Sequence, residues 1–393
     1  MTTTPTLTWD AASARRIDRQ FLAAPAPDGT PVADVVAAMR GAHAQVLSAA
    51  ELSAGLRGSA TTRADVRAAL WEDRSLVKTY GPRGTVHLLP THELPLWCAA
   101  LSAVPRGSNG LPRGARLTEE QEEQVVAAIG ESLDGACLTM DELHEAVMAR
   151  TGPWAGELVM PAFQGMWPRW RQVLHRAGWA GSLCFGPNRG RKVTYTRPPG
   201  TDGVRGVADT GGDEALRGFV HRYLHAYGPA TPAHFARWLA APADWATELF
   251  ARLAADGGIE EVGFEGARGW WVAAGDTEFP QAPAGRGLRL LPYFDAYVIA
   301  AQPRERLFPG AAYRRALAGG QAGNHPVLLA DGVVAGVWHQ RRGGRRTRIT
   351  VEPLGRLTAR QTRELGEQVE RVGEVMETTA ELVVGPVSVG PHA

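Results

Sequence analysis

Three times along this 393-residue chain, helix signals lead into a Gly/Pro turn flanked by two β-rich stretches. No other feature narrows the fold as much, because each repeat must pack a 3.6-residue period against a two-residue period in one small unit. In the first repeat, Thr61 or Thr62 caps a helix from about Ala64 to Glu72. Leu76 to Tyr80 and Thr85 to Leu89 then flank the turn Gly81 to Gly84 as a hairpin. In the second, Thr118 opens a helix over Glu119 to Leu133, and Thr139 with Glu142 forms a capping box for Met140 to Arg150. A further helix is expected over about Pro161 to Ala177, ahead of a hairpin over Ser182 to Thr196. The third repeat carries helices over Asp213 to Tyr227, Pro232 to Leu239 behind Thr231, and Ala243 to Ala255. Its hairpin runs through Ile259 to Phe264 and Gly269 to Ala273. From about Gly287 the pattern changes. Pro326 to Ala330, Gly332 to His339 and Thr347 to Val351 read as strands, and a helix over Thr358 to Thr378 follows.

Helices followed by a hairpin are the layout of a winged helix-turn-helix, which lays a helix on duplex nucleic acid while its wing touches a groove or phosphate. Such modules also serve as protein–protein scaffolds. The expected class is α+β. Three tandem winged helix-turn-helix modules occupy residues 1–115, 116–205 and 206–285, and a small β-barrel-like C-terminal domain occupies 286–393.

The charge total, 42 Lys+Arg against 41 Asp+Glu, is uninformative, but its distribution is not. No acid occurs between Leu158 and Thr201, a window that holds Arg169, Arg171, Arg176, Arg189, Arg191 and Lys192, the candidate DNA contacts. A second acid-free run, Gly332 to Val351, holds Arg341, Arg342, Arg345, Arg346 and Arg348. The hairpin Ser182 to Thr196 is the candidate for insertion into DNA; an ordinary wing and a solvated charged face are the alternatives. Trp167, Trp170 and Trp179 sit at helical spacing and read as core. Cys98, Cys137 and Cys184 are too few and too scattered for an iron–sulfur cluster or a zinc ribbon. No phosphate-binding Gly-Lys-Ser/Thr loop and no dinucleotide fingerprint occurs. No long apolar run and no secretory leader is visible, so a cytoplasmic, nucleoid-associated protein without membrane contact is expected.

Five blocks carry a resemblance: Gly41-Ala-His-Ala-Gln45, Leu76 to Leu89, Tyr227 to Trp238, Leu290-Leu-Pro-Tyr-Phe-Asp-Ala-Tyr297 and Asp331 to Trp338. In order and spacing they resemble the winged-helix DNA glycosylases of the AlkZ and YcaQ type. That resemblance implies a concave basic channel for double-stranded DNA. It also implies excision of bulky alkylated purines, with unhooking of interstrand crosslinks, in repair or antibiotic self-resistance. The catalytic motif of the family is Gln, an aliphatic residue, Gln. The matching positions here are His43, Ala44 and Gln45, which resembles a His-x-Gln branch.

The chemistry suits these side chains. An N7-alkylated purine is already cationic and leaves without a general acid, so what remains is to deliver water to the anomeric carbon. His43 can take a proton from that water, since a free imidazole has a pKa of about 6.5. Gln45 can hold the water through its amide oxygen. Residues i and i+2 do not share a helix face, so the two converge only on extended or broken backbone, which Gly41 permits. The only lysines, Lys78 and Lys192, fall in hairpins and suit phosphate contacts better than imine chemistry. The expectation is a monofunctional glycosylase acting as a monomer with no metal and no organic cofactor. Its rivals are a non-catalytic winged-helix DNA-binding protein or regulator, disfavoured by the lack of a sensing domain or dimerisation helix, and a protein that sequesters an alkylating metabolite.

Overall fold

Thr8 is the first organising residue in the computed structural model, which describes residues 6–105, 107, 110–162, 165–200, 211–280, 287–317 and 320–390. Its Oγ1 accepts from the Ala11 amide at 3.2 Å and caps α1 (Trp9–Arg19), behind the short β1 (Thr6–Leu7). The first repeat continues with α2 (Val32–Ala38), β2 (Ala42–His43), α3 (Leu47–Gly55), α4 (Arg63–Trp71), β3 (Leu76–Tyr80), β4 (Val86–Pro90) and α5 (Leu94–Ser102). Thr62 forms a capping box with Asp65 at the start of α4. The strands make an antiparallel sheet in the order β2-β4-β3, and α2, α3 and α4 cover one face through Val36, Ala50, Val66 and Leu70.

The second repeat comprises α6 (Glu119–Ser132), β5 (Cys137–Thr139), α7 (Met140–Thr151), β6 (Leu158–Ala162), β7 (Gly165–Pro168), α8 (Leu174–Trp179), β8 (Cys184–Arg189) and β9 (Lys192–Thr196). The helix expected over Pro161 to Ala177 is not continuous. Its first half is the β6–β7 hairpin, and only its second half is helical. Pro161 and Pro168 have no amide hydrogen to give a helix, and Gly165 sits at φ +141°, where a hairpin turns easily. Trp170 is fully buried, as a core residue should be, and Trp179 is half-buried, its Nε1 donating to the Gly81 carbonyl at 3.1 Å. Trp167, expected in the core, is exposed on β7 because the hairpin, unlike a helix, turns it to solvent.

In the third repeat α9 (Gly212–Tyr227), α10 (Pro232–Leu239) and α11 (Ala243–Ala255) precede β10 (Ile259–Phe264) and β11 (Ala267–Ala273). Thr231 caps α10 as expected. β1 joins this sheet from the far end of the chain, running parallel to β10 with Thr6 opposite Gly263. The last region holds β12 (Leu288–Leu291), α12 (Ala296–Ala300), α13 (Arg304–Leu307), α14 (Ala311–Ala316), β13 (Val327–Ala330), β14 (Val333–Gly343), β15 (Arg346–Pro353), α15 (Ala359–Val375) and β16 (Thr379–Val384). The sheet order is β12-β13-β14-β15-β16, with β16 parallel to β15, so β12 and β16 are edges of an open half-barrel. Leu365, Val369 and Val372 of α15 pack on Leu288, Leu290 and Ile349. The divisions expected at 205/206 and 285/286 lie outside the described residues.

Side chains tie the five sequence blocks into one neighbourhood. Tyr227 Oη donates to the Met39 carbonyl at 2.7 Å, and Arg83 Nη1 to the Trp238 carbonyl at 2.8 Å. Trp338 Nε1 donates to the Leu291 carbonyl and Tyr297 Oη to the Gly332 carbonyl. Arg57, on the turn leaving α3, and Asp295, which caps α12, form a fully buried ion pair at 2.8 Å. Asp295→Ala leaves an uncompensated buried guanidinium and is expected to cost about 3–5 kcal/mol, read as a lower urea midpoint. Arg57→Met with Asp295→Leu leaves no buried charge, and its midpoint is expected between the two.

Candidate active site

The segment that carries His43 is shaped by its neighbours before it. Arg40 and Gly41 take φ of +58° and +87°, which turns the chain out of α2. A Cβ on Gly41 would lie 2.8 Å from Leu89 Cδ2, so a larger residue would be strained at this φ and would have to displace the Leu89 side chain. Extended backbone follows. Ala42 and Ala44 are buried in the core beneath the sheet, and the alternation of a strand turns His43, between them, to the opposite face, while Gln45 follows in the bend beyond β2. The backbone at His43 is thus extended and not helical. It also explains a small apolar middle residue, since Ala44 fills core space.

The Ala44 amide donates to the Val86 carbonyl at 2.7 Å, and His43 stands opposite His87 in the ladder. Hydrogen-bonded and non-hydrogen-bonded pairs alternate, so His43 and His87 form a non-hydrogen-bonded pair, the kind whose side chains approach most closely. Their rings lie edge-on with centroids 5.0 Å apart. Phe294 covers His43 from the other direction at 4.6 Å. Gln45 is exposed at the bend into α3.

Burial, then the Arg83 guanidinium, pushes the pKa of His43 down to about 4. The imidazole is therefore neutral at pH 7 and able to accept a proton, and among the described residues its buried Nδ1 has no hydrogen-bond partner. His87 is pushed well below the usual imidazole range by burial, then by His43 and Arg83. Its Nδ1 lies 2.9 Å from the Thr85 carbonyl, which assigns the hydrogen to Nδ1 and leaves a lone pair on Nε2.

A cavity of about 250 Å³ is lined by Ser48, Arg63, Gln340, Arg342, Thr347, Met376 and Thr378, without His43 or Gln45. It joins the start of α3 to the β14–β15 hairpin, whose turn exposes Arg341, Arg342, Arg345 and Arg346. The cationic residues of the first acid-free window sit elsewhere, on the second repeat. The window is acid-free in sequence but not in space. Arg169 pairs with Glu157, Arg176 with Glu122, Arg189 with Glu142 at 2.7 Å, and Lys192 with Asp141 at 2.8 Å. The Arg171 guanidinium lies 4.1 Å over the Trp167 ring, and Arg191 is exposed at the β8–β9 turn. Among the described residues no cluster of three potential metal ligands occurs, and no helix is long and apolar enough to cross a membrane.

His87, Phe294 and Arg83 all fall inside the quoted blocks, yet no role attaches to them from sequence. The β2–β4 register, set by a strand two residues long, brings His87 to His43, and Phe294 arrives from the other end of the chain.

The sequence profile of the family described as DNA glycosylase AlkZ-like matches residues 36–375. The chain is 33% identical over 336 residues to the interstrand DNA cross-link repair glycosylase of Streptomyces sahachiroi, spanning 84% of this chain and 87% of that protein. Its fold is similar to the solved structure of Streptomyces sahachiroi DNA glycosylase AlkZ, with a TM-score of 0.75 and 28% identity, covering 96% of this chain and 100% of that one.

The buried histidines make acid stability predictable. His43 and His175 are lowered to about 4 and His234 to about 3, in each case by burial first. A folded-state pKa below the unfolded value favours the neutral form, so the stability these groups contribute is complete above about pH 6.5 and is lost as pH falls toward 4. The melting temperature is expected to be level from pH 8 to 7 and to drop steadily below 6.5. A melting temperature that stays constant down to pH 4.5 contradicts the burial of these rings.

Proposed function

The chain belongs to the AlkZ-like family of DNA glycosylases, hydrolases of the N-glycosidic bond, and from that premise we propose that it excises bulky N7-alkylated purines from double-stranded DNA, including purines that bridge the two strands. The observation that carries this reading is the neutral His43, buried at the end of β2 two residues before the exposed Gln45. As the cationic base departs, Gln45 holds a water through its amide oxygen and His43 takes the proton as the water adds to the anomeric carbon. Lys78 lies over the Phe185 ring at 4.8 Å and Lys192 is paired with Asp141, which supports a monofunctional reaction without an imine. The product is an abasic site and a free base, formed without metal or organic cofactor.

The three repeats act as winged helices against DNA in this proposal, with divisions near 115, 205 and 285, and the protein works as a cytoplasmic, nucleoid-associated monomer. Arg169, Arg171, Arg176, Arg189, Arg191 and Lys192 follow the backbone. Exposed ion pairs such as Arg189–Glu142 are screened by water and salt, so a phosphate can replace the carboxylate at little cost.

Gln45→Ala is expected to lower single-turnover release of N7-methylguanine on the order of 10²–10⁴-fold while duplex affinity stays within a few fold. Release at the wild-type rate removes Gln45 from the reaction.

A base at position 43 also fixes the acid limb. Excision should hold to about pH 5 and fall as pH approaches the His43 pKa of about 4. A level profile combined with a slow His43→Ala variant would instead assign His43 to holding water.

Replacing Arg189, Arg191 and Lys192 together by Ala should weaken damaged and undamaged duplex alike, and the log-affinity against log-salt slope should shrink by about 0.9 per lost phosphate contact. An unchanged slope would place the DNA path away from the β8–β9 turn, along the arginines of β14–β15.

A further inference from the structure

We propose that His87 is a positioning residue for base excision, acting through His43; the proposal rests on the reading of His43 as the group that handles water. Three independent features hold His87 in place. Its strand position puts it directly opposite His43 in the β2–β4 ladder. Its Nδ1 is tied to the Thr85 carbonyl at 2.9 Å, which stops the ring from rotating. Its other side lies on bare backbone, since a Cβ on Gly81 would come within 2.7 Å of His87 Cγ and Nδ1. Glycine at 81 is thus required by the ring and not by the turn, because Gly81 has an ordinary negative φ of −108°.

A ring fixed on three sides fixes the next one. His43 has two ring neighbours, His87 edge-on at 5.0 Å and Phe294 at 4.6 Å, and both limit its χ2 freedom. Among the described residues no hydrogen bond ties the buried Nδ1 of His43, so the ring is held by its ring neighbours. The charged surroundings favour the same outcome. Arg83 bears on His43 from the β3–β4 turn, His87 from β4, and the Asp295 carboxylate next to Phe294 is occupied by Arg57 and Ser53. No carboxylate in these contacts is free to draw a proton onto His43. A near-attack arrangement misplaced by an ångström can lose about 10² in rate, so an unheld His43 ring would be felt in the chemical step and not in DNA affinity.

The experiment is a double-mutant cycle on single-turnover release of N7-methylguanine from a duplex, with duplex affinity and melting temperature measured alongside. His87→Asn keeps an amide hydrogen for the Thr85 carbonyl but removes the ring edge. His87→Phe keeps a ring but loses the tether. Each should slow release roughly tenfold or more with affinity within about twofold, and in the His43→Ala background neither should slow it further. Gly81→Ala, which displaces the ring without altering it, should show the same pattern. Wild-type rates in a folded His87→Asn variant overturn the proposal. Equal losses with and without His43 also overturn it, because His87 would then act on its own or merely on stability. If His43→Ala itself releases base at the wild-type rate, the reading of His43 fails first, and that result is visible separately in the cycle.

Discussion

A carboxylate with no solvent and four donors holds the centre of this molecule. Asp295 accepts from Arg57 Nη1 and Nη2, from Ser53 Oγ at 2.5 Å, and from the Tyr297 amide at 3.0 Å. In a low-dielectric interior such a charge is tolerable only when every lone pair is matched, so the partners cannot drift relative to one another. Ser53 and Arg57 come from α3 and the turn after it, whereas Asp295 begins α12 more than two hundred residues later. The ion pair therefore fixes the first repeat against the C-terminal sheet. The residue before Asp295 is Phe294, held at φ +55° and pressed on His43. The wall of the site is set by a charge buried two residues' reach away from it, and the histidine owes its dry surroundings to that anchor.

Local signals in the sequence translate directly into structure. Thr62, Thr118, Thr139, Thr231 and Thr358 all cap helices with their N3 partners, and the helices they open begin within a residue or so of where the caps put them. A cap involves only three or four consecutive residues, so no knowledge of the fold is needed to see it. What depends on distant partners is invisible in the same way. The β6–β7 hairpin hides inside a helix-like pattern, because Trp167, Trp170 and Leu174 keep helical spacing while two prolines and a glycine decide against it. The site shows both sides of this. The His43–Gln45 pair was legible as a conditional statement, needing extended backbone, and His43 does lie on extended backbone, in β2. His87 and Phe294 were not, since the former depends on a two-residue strand register and the latter on a contact across most of the chain.

Charge placement carries a similar lesson. The residues between Leu158 and Thr201 contain no acid, yet the first turn of α7 sets Asp141 and Glu142 directly against Lys192 and Arg189. Acidic residues belong at a helix N-terminus, where they complement the backbone dipole, and here the same two carboxylates also meet the β8–β9 turn. The cations at the β8–β9 turn are therefore partly neutralised by the start of α7. A polyanion would compete for cations that are already held in a defined arrangement, which lowers the entropy of ordering long side chains on binding.

The pairing of β1 with β10 has a consequence in time as well as space. The Trp9 amide donates to Glu265 Oε1 across 256 residues of chain, and Trp9, Ile17 and Leu22 pack with Val262, Phe264 and Leu291. During synthesis the earliest helix emerges with its apolar face unmatched and must wait for the third repeat before that face can be covered. At ribosomal rates of about 5–20 residues per second, that wait lasts on the order of ten seconds or more. Contacts of such long sequence separation also slow refolding, because a large loop must close before any burial rewards it. The α1 segment is thus the place where a growing chain is most exposed to association with other chains or with chaperones, and the last piece to lock when the native state forms.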